Sequence, residues 1–179
     1  PLSLFGWKDA NKTGEGSLYA TSTYTALVVA QDISITPVVN GSTGAVSVPP
    51  GAKINASIVV RNNGQTTLQN AEVRVVLDAP SYQNKSILSW KDLDDAADGT
   101  IVGEQQTPTL RRGIITWNKN TVRGLASIAP GQEVTIEIAI PIQQAPAIDL
   151  TNSSEHTLTL VSELGYTEGD AKKTIASQP

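Results

Sequence analysis

The chain predicts an all-β domain of the antiparallel sandwich class, and three observations carry that expectation. Apolar residues alternate with polar ones in several separate runs, the period-two pattern of half-buried strands. Pro-Gly, Asn-Gly and Asp-Gly turn signals part those runs at short, fairly regular intervals, as they do in sandwiches. No window of helical length combines a 3.6-residue apolar period with helix caps.

Taken in order, residues 1–30 form an N-terminal segment, either an extra edge strand or the end of a preceding domain. Within it, 1–17 reads as a loop carrying Phe5 and Trp7, and 19–30, rich in Thr, Val and Tyr, as a strand. The sandwich itself is expected over 31–179. In 53–61, Ile54, Ala56, Ile58 and Val60 point one way, while Asn55, Ser57 and Arg61 point the other. In 133–142, Val134, Ile136, Ile138, Ile140 and Ile142 alternate with Glu133, Thr135, Glu137, Ala139 and Pro141. A one-residue slip there would drive two carboxylates into the core, so the register is strongly specified. Both runs are entered through proline-glycine turns: 48–54 (VPPGAKI) lies over 128–134 (IAPGQEV) without a gap, which marks two equivalent strands of one sandwich. Between them, 71–78 places Val73, Val75 and Leu77 on one face after the turn cluster Asn62-Asn63-Gly64-Gln65. Short strands are expected at 86–90 and at 113–118, the latter with Ile115 and Trp117 on one face. The stretch 143–154 is polar and proline-bearing, 156–164 is a strand with Leu158 and Leu160 inward, 166–170 is a turn, and 173–177 is strand-like.

Composition removes several kinds of chemistry. With 179 residues, 39% of them hydrophobic, the chain can bury a real core. It has no cysteine and no methionine, which excludes disulfides, thiolate metal sites and thiol nucleophiles, and a single histidine excludes zinc sites built on several imidazoles. A formal net charge of -4 argues against nucleic-acid binding. No apolar run approaches the ~20 residues that span a bilayer. The chain starts at Pro1 without a signal segment, so it reads as a piece of a longer protein. A cysteine-free extracellular module of this size fits a bacterial or archaeal surface better than an animal one.

Two candidate sites stand out. Asp92, Asp94, Asp95 and Asp98, with Glu104 shortly after, are the one dense carboxylate cluster, and calcium favours several oxygen ligands on a flexible loop. The EF-hand spacing fails, because a loop begun at Asp94 has Ala96 third and Gln105 twelfth; the competing reading is a solvated acidic loop. Asn-x-Ser/Thr sequons fall at Asn11, Asn40, Asn55, Asn84 and Asn152, where they would suit a glycosylated surface layer or simply belong to a Thr-rich β surface. Other features carry less. Glu155 and His156 are neighbours on a strand and face opposite ways, so they make no triad, and no catalytic residues or cofactor are expected. Trp7, Trp90 and Trp117 suit core or inter-domain packing better than a sugar platform. Arg111 and Arg112 suggest a surface charge contact. A Lys-Asn isopeptide bond is disfavoured, since Lys53 lies opposite Ile54 and the other candidate lysines fall in or beside turns.

The runs Ile114-Ile115-Thr116-Trp117 and 125–136 (LASIAPGQEVTI), with 54–64 (INASIVVRNNG) and 68–73 (LQNAEV), resemble prokaryotic cell-surface repeat domains with an immunoglobulin-like sandwich. Residues 98–105 and 110–113 look like features of the same group, and the likeness runs over about 31–178; the long insertion between Trp90 and Gly113 departs from its shortest members. The resemblance implies an immunoglobulin-like antiparallel β-sandwich, repeated in tandem in large extracellular proteins, with no shared catalytic residues. It implies a structural or adhesive module, one link of a stalk, filament or surface layer, whose partners are neighbouring copies. The alternative is an accessory carbohydrate-binding module of a secreted or surface enzyme, with surface glycans as partners.

Overall fold

The computed structural model describes residues 2–6, 17–22, 32–82, 85–143 and 157–177. The chain divides into two compact units, Pro1–Ala30 and Gln31–Pro179. The first contains an antiparallel hairpin of β1 (Leu2–Gly6) and β2 (Ser17–Ser22), with a register shift between Leu4 and Phe5. The loop expected over 1–17 is therefore corrected at its start. Leu2–Gly6 gains its strand character from pairing with β2, a partner that a local reading of five residues does not reveal.

The second unit is an all-β antiparallel sandwich of two open sheets. Its strands are β3 (Ile33–Val39), β4 (Lys53–Asn62), β5 (Leu68–Tyr82), β6 (Lys85–Ser86), β7 (Asp94–Asp95), β8 (Thr100–Thr107), β9 (Leu110–Trp117), β10 (Ser127–Ile128), β11 (Glu133–Pro141), β12 (Thr159–Glu168) and β13 (Ala171–Ala176). One sheet runs β13-β12-β5-β9-β8, with β6 and β10 paired to the ends of the long β5; the other runs β3-β4-β11-β7. Helical geometry among the described residues is confined to two 3₁₀ turns, Trp90–Asp92 and Arg123–Ala126.

The alternation in the sequence is the packing. Ile54, Ala56, Ile58 and Val60 of β4 and Ile136, Ile138 and Ile140 of β11 join Val73, Val75, Leu77, Ile115, Trp117 and Leu164 of the other sheet in one buried cluster. The two proline-glycine turns close as expected: the Ala52 amide donates to the Pro49 carbonyl and the Gln132 amide to the Ala129 carbonyl, with Gly51 and Gly131 at φ 79° and 77°. Their equivalence has a cause. Strands β4 and β11 are antiparallel neighbours, Lys53 opposite Pro141 and Arg61 opposite Glu133, so each turn docks at the far end of the other strand. The Gly131 amide donates to the Asn62 carbonyl, and the Ile142 amide to that of Ala52.

Asn62 is fully buried at the end of β4. Its side-chain amide donates to the carbonyls of Thr66 and Ile128, both at 2.8 Å, and its oxygen accepts from the Gly64 amide at 3.0 Å. The polar cluster read as a turn is thus pinned from inside, since a buried amide must find all its partners locally. In β5 the inward phase changes between Leu68 and Ala71. Asn70 adopts φ 49° there, and the pairing with β12 jumps from Glu72–Gly165 to Gln69–Thr167, a bulge.

Three expectations change. Residues 166–170 are not wholly a turn: β12 runs to Glu168 because Tyr166 continues the inward phase of Leu164, and only Gly169 and Asp170 turn. At 86–90 the strand stops at Ser86, whose hydroxyl oxygen accepts from the Leu88 amide and folds the chain locally. The strand expected over 113–118 starts three residues earlier, at Leu110, which pairs with Pro80 and Thr107.

Candidate functional site

The acidic segment 92–98 links β6 to β8 and is organised from within. Asp95, half-buried in β7, accepts at Oδ2 from the Trp117 indole N–H at 2.9 Å and from the Gly99 amide at 2.7 Å, and at Oδ1 from the Ala97 amide at 3.0 Å. Asp92 accepts from the Ser89 hydroxyl at 2.5 Å. Asp94 and Asp98 are exposed, Asp98 at φ 48°, and Glu104 sits apart on β8 opposite Arg112. The fold does not gather these five carboxylates. Among the described residues, no group of three or more His, Cys, Asp or Glu side chains is arranged to hold a metal ion.

The described tryptophans are structural neighbours of glycines. Trp117 is fully buried, and a Cβ on Gly99 would come within 2.5 Å of its Nε1. Trp90 lies across Gly113, where a Cβ would meet its Cη2 at 2.0 Å, and its indole N–H donates to the Ser86 hydroxyl at 3.3 Å. Indole ring packs on bare backbone at both places. Neither ring is presented as a platform.

Of the sequon asparagines, Asn40 and Asn55 are described and exposed, whereas Asn11, Asn84 and Asn152 lie outside the described residues, as do His156 and Trp7. Asn40 and Gly41 form a two-residue hairpin turn with φ 48° and 81°, closed by reciprocal Val39–Ser42 backbone bonds. The Asn40 side-chain oxygen accepts from the Asn55 amide at 2.9 Å, which puts two sequons side by side.

An open cleft of about 200 Å³ is lined by Asp32, Ile33, Tyr166, Glu168, Lys173 and Ile175. Two of its charges are paired: Lys173 and the Thr66 hydroxyl both donate to Glu168, and these bonds hold the Glu168 carboxyl below its usual range. Burial pushes the Tyr166 phenol up. Lys119 donates to the Asn70 side-chain oxygen at 2.7 Å, an exposed hydrogen bond.

The outer face of the five-stranded sheet is arranged in rows across the strands. Val102, Ile114, Val76 and Val161 stand directly opposite one another from β8 to β12, an apolar row facing solvent. On one side runs Glu104-Arg112-Asp78, with a two-pronged Arg112–Asp78 pair whose bonds are both 2.7 Å. On the other runs Thr100-Thr116-Arg74-Glu163, with Arg74 and Glu163 at 2.7 Å. The surface charge contact expected of Arg112 is thus made with Asp78, and Glu104 stands opposite it on β8. Its guanidinium holds the Asp78 carboxyl below the usual aspartate value.

No protein-family model and no curated protein matches this chain. Solved structures match this chain at low identity and with TM-scores below 0.5. The chain is similar to a CBM3 of Hungateiclostridium clariflavum, with 10% identity, 73% of this chain and 91% of that one covered, and a TM-score of 0.42. It is similar to CBM3b of the major scaffoldin subunit ScaA from Acetivibrio cellulolyticus, with 13% identity, 73% and 90% covered, and a TM-score of 0.40. A GH20 exo-β-N-acetylglucosaminidase from Vibrio harveyi matches at 9% identity and a TM-score of 0.37 over 82% of this chain, which spans only 17% of that enzyme's chain. By its own strand order the molecule is an all-β two-sheet sandwich, and its structural similarity to the CBM3 modules is distant.

Proposed function

We propose that the domain is a non-catalytic structural module of an extracellular protein, a link that holds its neighbours at a distance and meets them through its ends and edges. One observation carries this reading. The aromatic side chains described in the sandwich serve its interior, with Trp117 fully buried, Tyr166 at 7% exposure and Trp90 against Gly113, while the outward face of the larger sheet carries an aliphatic row flanked by paired charges. Aromatic stacking on sugar rings would need the opposite arrangement.

The second reading is a carbohydrate-binding module, and the names of the similar CBM3 structures side with it. The outer face of the four-stranded sheet suits it, since Asn55, Ser57, Thr135 and Glu137 lie close together there on the paired strands β4 and β11. Glycan arrays and pull-downs on insoluble cellulose and chitin separate the two. The structural reading expects no retention on any polysaccharide; saturable retention, lost on Glu137→Ala and Asn55→Ala, would replace it with the second reading.

A further inference from the structure

We infer that strand β8 is a pairing edge for a second copy of this chain, two β8 strands meeting antiparallel across a two-fold axis through Val102. The inference rests on the reading of the domain as a link that meets its neighbours through its edges, and it names one neighbour, a second copy, with the edge and register of the contact.

Among the described residues, four strands end the two sheets of the sandwich, and three carry features that discourage pairing. Strand β13 has Lys172 and Lys173, β3 has Pro37, and β7 is two residues long. Strand β8 has none of these. It is eight residues long, free of proline and lysine, and bears Ile101 at 43% and Val102 at 56% exposure, one on each face of the sheet. Backbone N–H and C=O groups on its far side point away from β9, so an incoming strand would find a ready hydrogen-bonding edge.

Geometry limits the register. In an antiparallel pair, residues directly opposite share the same hydrogen-bonding role, so a two-fold axis must pass through a residue. An axis at Gly103 sets Val102 against Glu104 of the other copy, and one at Ile101 brings Asp98 towards Glu104, like against like. An axis at Val102 sets Val102 against itself, Ile101 against Gly103 and Thr100 against Glu104, with no like-charge pair. That register alone aligns the apolar rows, so Val161-Val76-Ile114-Val102 runs into its own mirror sequence across a ten-stranded sheet. An edge contact of this size is weak between free molecules; copies held in tandem or side by side would raise its effective concentration.

Because the chain has no cysteine, one engineered thiol reads the register. Val102→Cys places two thiols opposite each other at the axis, with Cα atoms about 4.5–5.5 Å apart, within disulfide reach. Mild oxidation of the full chain should convert this variant to covalent dimer at least about ten-fold faster than Thr100→Cys, whose own mate lies roughly 14 Å away. An equimolar mixture of Thr100→Cys and Glu104→Cys should give the mixed dimer and neither self-dimer, a test that does not depend on the Val102 variant. In sedimentation equilibrium, the unmodified chain should self-associate as concentration rises and Val102→Lys should not. Equal cross-linking at residues 100 and 102, no mixed dimer, or a monomer up to about millimolar concentration would overturn the inference, whether the edge then pairs with β13 of another copy or with a different protein. None of these failures touches the mechanical reading, which pulling on single copies tests separately.

Discussion

Gly113 and Gly99 show how single residues hold the two tryptophans. Gly113→Ala sets a methyl 2.0 Å from the Trp90 ring, against a side chain held by Ser86, and Gly99→Ala sets one 2.5 Å from the Trp117 indole nitrogen, which Asp95 holds. Overpacking of this kind costs about 1–3 kcal/mol, so urea denaturation of either variant should show a lower midpoint, and Gly113→Ala in a Trp90→Ala background should recover part of the loss. Asp95→Ala removes the acceptor of the Trp117 indole and of two backbone amides, with an expected loss of about 2–4 kcal/mol in the same measurement. The Arg112–Asp78 pair acts through pH. Since the folded Asp78 carboxyl titrates below its usual value of 3.8, its contribution is present in full above that value and disappears as pH falls through the lowered one. Asp78→Asn should therefore lower stability slightly at pH 7, the pair being only partly buried, and match the unmodified chain once acid protonates Asp78, which flattens the profile below about pH 4.

At the scale of elements, strands with strict alternation were legible, whereas the edge strands β3 and β8 were not. The faces of β4 and β11 follow directly from aliphatic residues two apart, and their proline-glycine turns close as read. Strand β8 has only Ile101 and Val102 as large apolar residues, adjacent rather than alternating, because an edge with both faces partly wet has no core side to write into the sequence. Ile33–Val39 escaped notice for a related reason: only Ile33 and Ile35 are buried, and Pro37 interrupts the pattern. Asn62 was visible as a turn signal but not as a buried hub, since its partner Ile128 lies 66 residues away. Asn62→Ala should cost about 2–4 kcal/mol by leaving two carbonyls and an amide unpaired, read by thermal unfolding.

Over the whole molecule, the carboxylate-rich segment was legible as a cluster but not as an arrangement. Sequence counts acids; it does not show that the oxygens of Asp95 accept from Trp117 and Gly99, a strand and a loop away. Millimolar calcium is accordingly expected to leave the melting temperature unchanged, and a clear upward shift would mean that these carboxylates rearrange around the ion. The apolar row on the outer sheet was illegible for the opposite reason. Its four members come from four strands and meet only through register. The central claim is that two antiparallel layers around one aliphatic core make a mechanical link, and force spectroscopy through the two ends of the sandwich tests it most directly. A single cooperative rupture with a contour-length gain of about 50 nm for residues 32–177 is expected. Gradual lengthening without a force peak, or rupture in several small independent steps, would contradict it.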